Sequence, residues 1–254
     1  MKVVAIVQAR MGSTRLPGKV LLPLIKKPLL EIVLERLSFS RAIDQTIVAT
    51  TTSPQDDVLN EWLIQKNIPV FRGSEHDVLD RYYNCALKHK ADIIVRITAD
   101  DPFKDFGVID KAVRELLDDP SLDYCSNNLT PTFPEGLDVE VFRFSGLRRA
   151  FKNASLVSER EHVTPYIWKN VDTFKLKNIE HTQNLSHWRL TIDTEIDLAL
   201  IRKIMGYFGE GNIFTLEELT KFLDANGDLQ KTNSQYPRNA GYLRSLEQEK
   251  KLEK

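Results

Sequence analysis

Residues 3–19 read VVAIVQARMGSTRLPGK, an apolar run that passes directly into a loop with three cations and no acid. The run Val3 to Val7 has the length and composition of a buried β-strand. Gly12 and Gly18 allow backbone N–H groups of the loop to turn inward. The three cations are Arg10, Arg15 and Lys19. A loop of this kind at the carboxyl edge of a parallel sheet suits a polyanion, most simply a nucleoside triphosphate.

The spacing of the loop excludes the commoner phosphate-binding motifs. A P-loop has four residues between its glycines and Ser or Thr after its Lys, whereas this loop has five residues and then Val20. The dinucleotide fingerprint needs three close glycines and an immediate helix, but here no helix can begin before about Pro28. Hydride chemistry is therefore not expected. The simplest alternative is a solvated surface loop with scattered cations.

Composition limits the possible partners. The chain has 254 residues, of which 42% are hydrophobic, and a formal charge of −1. This hydrophobic content can build a core, and the charge gives no general attraction to nucleic acid or membranes. Cys85 and Cys125 are far apart and are expected to be reduced thiols. Because no segment resembles a signal peptide or a transmembrane helix, we expect a cytoplasmic protein.

Strands and helices alternate over the first hundred residues. The hydrophobic patterns predict strands at 3–7, 46–50, 69–71 and 93–97, and helices beginning at Pro28, Ser53 and Asp77. The second helix is expected to bury Val58, Leu59, Trp62 and Leu63 on one face. This alternation is typical of βαβ units, so we predict an α/β fold with a mostly parallel sheet flanked by helices.

The pattern changes near residue 123, where prolines and glycine separate short extended pieces. We expect residues 123–190 to form a small extended excursion over the active-site face. Within and after it the sequence predicts strands at 137–141, 174–176 and 189–192, and helices at 145–151, from a capping box at Ser158, at 194–205 and at 216–223. Residues 1–226 are assigned to one domain and 227–254 to a charged tail, helical or frayed.

Acidic residues follow two of the predicted strands. Asp100 and Asp101 come after strand 93–97, and Asp193 comes after Ile192. Neighbouring residues of an extended chain point to opposite sides, so we expect Asp100 to reach the site and Asp101 to hold the turn. Two carboxylates beside a bound triphosphate suit Mg²⁺. The simpler alternatives are a turn at Asp101-Pro102 and a helix N-cap at Asp193-Thr194.

Seven blocks, in order, resemble nucleotidyltransferases of the CMP-sugar synthetase group, most closely the spore coat polysaccharide biosynthesis protein F type. That type is related to 3-deoxy-manno-octulosonate and acylneuraminate cytidylyltransferases. The blocks are residues 8–19, 71–74, 77–82, 96–102, 134–141, 159–166 and 189–194. The resemblance covers about residues 1–205 and implies a Rossmann-like nucleotidyltransferase fold. It also implies Mg²⁺-dependent transfer of CMP from CTP to a hydroxyl of an acidic sugar, and a homodimer joined through 123–190.

The resemblance assigns roles position by position. It places Arg15, Lys19, Asp100 and Asp193 in catalysis, and Mg²⁺, with Mn²⁺ as an alternative ion, on Asp100 and Asp193. It implies nucleotide contacts from Ala9, Arg10, Gly12, Ser13, Arg15, Lys19, Arg72, Gly73, Ser74, Asp77, Val78, Arg81, Thr98 and Asp100. It implies acceptor contacts from Asp138, Glu140, Glu161, His162 and Arg189. A carboxylated acceptor needs a cation, for which the candidates are Arg96, Arg160 and Arg189.

The sequence departs from the family pattern at two places. Ala99-Asp100-Asp101 stands where related proteins more often have Gly, Asp and then Cys or Glu, so the assignment of the metal to Asp100 over Asp101 is less secure. Thr194-Glu195-Ile196-Asp197 lacks the usual Pro, which affects only helix initiation.

Two other function classes stay open. One other class is a transferase that uses another nucleotide with a sugar 1-phosphate, or a glycosyltransferase that uses a nucleotide sugar. The other is a non-catalytic nucleotide-binding or scaffold protein.

Overall fold

A computed structural model describes residues 1–209 and 211–252. Within them, seven strands form one sheet in the order β3-β2-β1-β4-β6-β5-β7. The strands are β1 (Val3–Gln8), β2 (Gln45–Thr51), β3 (Val70–Gly73), β4 (Ile93–Thr98), β5 (Tyr124–Ser126), β6 (Glu140–Arg143) and β7 (Leu176–Asn178). Among these strands only β6 runs against the others, between β4 and β5. The predicted mostly parallel sheet is confirmed.

Eleven helices of the described chain flank the sheet. They are α1 (Leu29–Leu37), α2 (Asp57–Gln65), α3 (Val78–Lys88), α4 (Phe106–Asp118), α5 (Phe144–Asn153), α6 (Val157–His162), α7 (Pro165–Lys169), α8 (Glu195–Phe208), α9 (Leu216–Ala225), α10 (Gly227–Gln230) and α11 (Ala240–Leu252). None of these helices is long and apolar enough to cross a membrane.

Alternation along β1 explains why helices cover both faces of the sheet. Val3, Ala5 and Val7 pack into one apolar cluster, with residues from α1, α4, α8 and α9. Val4 and Ile6 point to the opposite face and pack into a second cluster, with residues from α3, α5 and α7. A strand that buries both faces reads as a continuous apolar run, which is the pattern of residues 3–7.

The predicted elements of the first hundred residues are all present, with small differences at their ends. Asp77 is the N-cap of α3, and its side chain accepts from Asp80 N. The face predicted for the second helix is partly wrong, because Val58 is 51% exposed while Leu59 and Leu63 are fully buried. That helix begins at Asp57, after a short 3₁₀ turn at Pro54–Asp56.

Two predictions for the second half are wrong, and two strands lie later than predicted: β6 is Glu140–Arg143 instead of 137–141, and β7 is Leu176–Asn178 instead of 174–176. Residues 189–192 are extended but form no strand beyond a single bridge between Glu135 and Arg189, since Ile192 N instead donates to the Asp100 carbonyl. The backbones of residues 136 and 190 lie so close together that position 136 requires glycine. Its φ is +101°, and an added Cβ would lie 2.7 Å from the backbone of Leu190. The capping box at Ser158 is also absent. The helix begins at Val157, and Glu159 accepts from the backbone just before it.

The predicted excursion has two parts. Strands β5 to β7 extend the sheet, while α6 reaches back over the carboxyl ends of β1 and β4. The tail predicted from residue 227 is helical from Ala240 to Leu252. This helix is not frayed, because α11 packs against α6. The domain boundary at 226 stays a prediction.

Candidate active site

A cavity of about 500 Å³ opens where β1 and β4 end side by side, at the paired residues Gln8 and Thr98. Loops that follow strands line one part of it, and α6 and α11 line another. The lining residues are Gln8, Ala9, Arg10, Ser13, Thr14, Arg15, Lys19, Val20, Glu75, His76, Val78, Arg81, Thr98, Ala99, Asp100, Val157, Glu161, His162, Asp193 and Arg244. Ligands of open α/β sheets bind at this edge.

The basic loop is fixed at two points. Gly18, with φ of +71°, donates from its N to the Met11 carbonyl at 2.9 Å. Met11 N donates to the buried carboxylate of Asp56 at 2.6 Å. Gly12, by contrast, lies outside the left-handed region, and an added Cβ would meet only Gln55 Oε1, at 3.5 Å. The protein itself therefore requires glycine at 18 and not at 12.

Lys19 lies between the two predicted metal ligands. Its Nζ is 2.6 Å from Asp100 Oδ2 and 3.0 Å from Asp193 Oδ1, and it donates to the Ile192 carbonyl at 2.8 Å. Burial opposes the charge of Lys19, but the two carboxylates outweigh burial and raise its pKa. The expected convergence of Asp100 and Asp193 at one sheet edge is observed.

The two carboxylates differ in electrostatic environment. Burial raises the pKa of Asp100, although Lys19 acts against it. Burial also opposes the charge of Asp193, but Lys19 and then Arg189 and Arg15 outweigh it and hold its pKa well below the ordinary value. Arg189 lies 2.8 Å from Asp193 Oδ2, and Arg15 lies 2.9 Å from Oδ1. Asp193 is therefore the firmly ionised member of the pair.

Asp101 has a different task from Asp100. It is buried, with its Oδ2 2.8 Å from Lys104 Nζ, and it accepts from the Thr98 hydroxyl. Lys104 is itself 1% exposed. Asp101 therefore holds the turn after β4, while Asp100 faces the cavity.

The three oxygens that accept from Lys19 Nζ are of the kind that a small divalent cation binds, and an ion at that point would take the place of the Lys19 ammonium. Asp100, Asp193 and the Ile192 carbonyl supply oxygens alone, which are the ligands Mg²⁺ takes. No group of three or more His, Cys, Asp or Glu side chains among residues 1–209 and 211–252 could hold a metal ion. An ion held here would rest on two carboxylates, with phosphate and water oxygens completing its shell.

Five of the residues predicted to contact nucleotide do not line the cavity: Gly12, Arg72, Gly73, Ser74 and Asp77. Arg72 donates to the carbonyls of Thr51 and Ser53, and so holds the loop after β2. Asp77 is bound by Arg160 and caps α3. The other nine nucleotide candidates line the cavity.

Three of the predicted acceptor ligands lie behind the cavity wall. Glu140 sits opposite Arg96 in the β4–β6 pair and forms an ion pair with it. Burial opposes the charge of Glu140, but Arg96 and the hydroxyls of Thr164 and Tyr124 hold its pKa below the ordinary value. Asp138 pairs with Arg238, and Arg189 joins Glu135, Asp193 and Asp197. Glu161 and His162 do line the cavity.

His162 is fixed by the C-terminal helix. Its Nε2 lies 3.0 Å from Ser245 Oγ, and that hydroxyl donates to Glu161 Oε2 at 2.6 Å. Burial and the nearby Arg96 charge lower the pKa of His162 to about 4. Val163, the next residue, has φ of +74° at the centre of a turn in which Thr164 N donates to the His162 carbonyl. This conformation is strained for a β-branched residue.

Sequence reasoning missed eight lining residues: Gln8, Thr14, Val20, Glu75, His76, Ala99, Val157 and Arg244. Most are neighbours of predicted residues, so the strand ends could have suggested them. Gln8 is notable because its Oε1 is buried and accepts no hydrogen bond from the described part of the chain. Arg244 gave no local signal, because only the folding of α11 against α6 brings it to the cavity.

Comparison with known proteins identifies the family of the chain. The family model for cytidylyltransferases matches residues 4–230. Spore coat polysaccharide biosynthesis protein SpsF of Bacillus subtilis is 34% identical, over 88% of this chain and 94% of that protein. A 3-deoxy-manno-octulosonate cytidylyltransferase of Pelobacter propionicus is 36% identical, but over only 48% of this chain and 47% of that enzyme.

A solved structure is similar over nearly the whole chain. It is a cytidylyltransferase from Leptospira borgpetersenii, with 35% identity and a TM-score of 0.87, covering 93% of this chain and 100% of that one. The predicted Rossmann-like nucleotidyltransferase fold is confirmed by this likeness. With the family model matching most of its length, the chain belongs to the cytidylyltransferase family.

Proposed function

We propose that the protein transfers CMP from CTP to a hydroxyl of an acidic sugar of the 2-keto-3-deoxy type, releasing pyrophosphate, for surface polysaccharide or glycan synthesis. The observation that carries the proposal is the placement of Lys19 between Asp100 and Asp193 on the wall of a cavity that Arg10 and Arg15 also line. Family membership supports cytidine nucleotide chemistry. The names of the Bacillus subtilis and Pelobacter propionicus relatives support a polysaccharide pathway and a sugar acid.

The reaction joins the acceptor oxygen to the α-phosphorus of CTP. The bond from that phosphorus to the bridging oxygen breaks, pyrophosphate leaves with the bonding pair, and the hydroxyl proton passes to solvent water. Negative charge grows on the transferring phosphoryl group and on the leaving oxygen, so preorganised cations lower the barrier. Arg10, Arg15 and Lys19 line the cavity, and we assign this role to them.

His162 fits a binding role better than a proton-transfer role. With its pKa lowered to about 4, its ring is neutral near pH 7 and is a weak base there. A neutral ring nitrogen can still accept a hydrogen bond from an acceptor hydroxyl. Asp100 and Asp193 would hold Mg²⁺, or Mn²⁺ in its place, which when bound adds positive charge beside phosphoryl oxygens and lowers the pKa of a neighbouring hydroxyl.

The test is a pyrophosphate-release screen. CTP, UTP, GTP and dTTP are each combined with a panel of 2-keto-3-deoxy and acylneuraminic sugar acids and of sugar 1-phosphates, with and without Mg²⁺. We expect release only with CTP, a sugar acid and Mg²⁺ together. Absence of release with every nucleotide contradicts the proposal, and release from UTP, GTP or dTTP with a sugar 1-phosphate favours the other transferase class.

Paired variants test the site itself. Asp100→Asn removes a carboxylate that faces the cavity, and we expect release at least about 100-fold slower. Asp118→Asn removes an exposed carboxylate at the end of α4 and is expected to keep the wild-type rate. Equal rates for the two variants contradict the assignment of the site. The proposed homodimer is tested by light scattering, which should give twice the mass of one chain.

A further inference from the structure

The proposed acceptor carries a carboxylate, and the three arginines suggested for it by sequence are committed elsewhere. Arg96 is paired with Glu140. Arg160 donates to Asp77 and, at 2.9 Å, to the Phe151 carbonyl. The third is Arg189, which binds Glu135, Asp193 and Asp197. None of the three lines the cavity within the described part of the chain, so a different cation is needed.

Arg244 has the required properties. It lines the cavity from α11, and its side chain is exposed to solvent there. Within residues 1–209 and 211–252 the structure gives its guanidinium no hydrogen bond and no ion pair. A guanidinium in a cavity with no carboxylate partner suits a bidentate contact with a ligand carboxylate.

Contacts between α11 and α6 hold Arg244 near the predicted acceptor residues. Ser245 bridges Glu161 and His162, and the ring of Tyr242 packs edge-on against His162 at 5.3 Å between centroids. Arg244 Nη2 and His162 Cε1 both lie within 4 Å of the point where a Cβ on Gly241 would stand. The charge of Arg244 also contributes to the lowered pKa of His162.

We propose that Arg244 binds the carboxylate of the acceptor sugar, and that α11 together with α6 forms the acceptor end of the cavity. The inference rests on the proposed function. Glu161 and the neutral ring of His162 supply acceptors for sugar hydroxyls beside that cation. Because α11 lies beyond residues 4–230, part of this end of the site comes from a segment that the family model does not include.

The test compares Arg244→Gln with Lys250→Gln, which removes an exposed cation at the other end of α11. The substrates are CTP, the sugar acid of the panel that wild type uses fastest, and the carboxamide of that same acid. We expect Arg244→Gln to raise KM for the acid about 10- to 100-fold, the effect of losing a hydrogen-bonded charge. KM for CTP should stay within about twofold.

The assays with the carboxamide show whether Arg244 recognises the carboxylate of the acceptor. Wild type should bind the carboxamide as weakly as Arg244→Gln binds the acid, and the variant should not weaken carboxamide binding further. Arg244→Lys should restore part of the affinity for the acid. Lys250→Gln should behave as wild type, and equal melting temperatures of the variants show that folding is intact.

Three results overturn the inference. An unchanged KM for the acid in Arg244→Gln removes the proposed contact. A rise in KM for CTP instead assigns Arg244 to the nucleotide. Inactivity of wild type with every sugar acid overturns the proposed function and this inference together, whereas an active wild type with an insensitive Arg244→Gln overturns this inference alone.

Discussion

Asp197 holds the backbone of the predicted metal ligand Asp193 in place, and replacing Asp197 by asparagine tests this role. Asp197 is fully buried in the first turn of α8. Its Oδ1 accepts from Arg189 Nε at 3.1 Å and from Asn233 Nδ2 at 2.7 Å. Its Oδ2 accepts from Asp193 N at 3.0 Å and Thr194 N at 2.9 Å. In Asp197→Asn, either orientation of the amide places its NH₂ against at least two donors.

The loss follows from the number and charge of these contacts. Hydrogen bonds to a charged group contribute about 1.5–3 kcal/mol each, and breaking a buried ion pair costs about 3–5 kcal/mol. We therefore expect the free energy of unfolding to fall by about 3–5 kcal/mol. For a chain of this length the melting temperature should fall by roughly 6–15 °C.

Urea unfolding measures this change, with Glu195→Gln as the control because Glu195 is exposed in the same first turn. The control should unfold as wild type does, and the slope against urea should be the same for all three proteins. In a pyrophosphate-release assay below the melting temperature, Asp197→Asn should also lower kcat, because Asp193 loses the acceptor of its backbone N–H. A stability loss below about 1 kcal/mol refutes the reasoning.

Two further predictions concern the strand end and the acceptor end. Asp101→Asn should keep kcat within about threefold but lower the free energy of unfolding by about 3–5 kcal/mol, because the buried ammonium of Lys104 loses its carboxylate. Release assays and urea unfolding check this, and a kcat as low as that of Asp100→Asn contradicts it. For His162, the pKa of about 4 in the folded protein lies below the ordinary 6.5, so the unfolded chain binds the proton first as pH falls. Stability should therefore fall between pH 6.5 and 4, by up to about 3 kcal/mol. Glu161, Glu140, Arg96 and Arg244 surround the ring, so His162→Gln in urea unfolding at several pH values isolates its share. An unchanged pH dependence in that variant contradicts the prediction.

The first half of the fold was predictable because local signals agree there. Strands such as β1 bury both faces, so their apolar runs are continuous, and the helices between them carry the helical period. The meeting of Asp100 with Asp193 could also be predicted, since each acid follows an extended segment directed to the same sheet edge. The rule that parallel strands share an edge holds for Asp100, which follows β4, but Asp193 follows a segment outside the sheet, which Ile192 N ties to that edge by donating to the Asp100 carbonyl.

The second half depends on contacts that no local pattern encodes. Residues 189–192 have the composition of a strand, but beyond the bridge between Glu135 and Arg189 the Ile192 N donates to the Asp100 carbonyl instead of to a neighbouring strand. Arg72 and Asp77 lie in blocks typical of the family, yet their partners are the loop after β2 and Arg160. Ser245 and His162 are 83 positions apart in sequence. The part of α11 in the site therefore appears only once the chain is folded.

Gly12 and Gly18, the two glycines of the basic loop, differ in how the fold constrains them. Alanine at 18 would meet a left-handed backbone, whereas alanine at 12 meets only the flexible end of Gln55. The fold is thus indifferent to a methyl group at 12, and any intolerance there must come from a molecule that approaches the backbone. Gly12→Ala therefore tests whether the nucleotide contacts this backbone. If the variant melts at the wild-type temperature but binds CTP more weakly, phosphate lies against the loop. If it binds CTP as wild type does, the nucleotide does not contact the loop at residue 12.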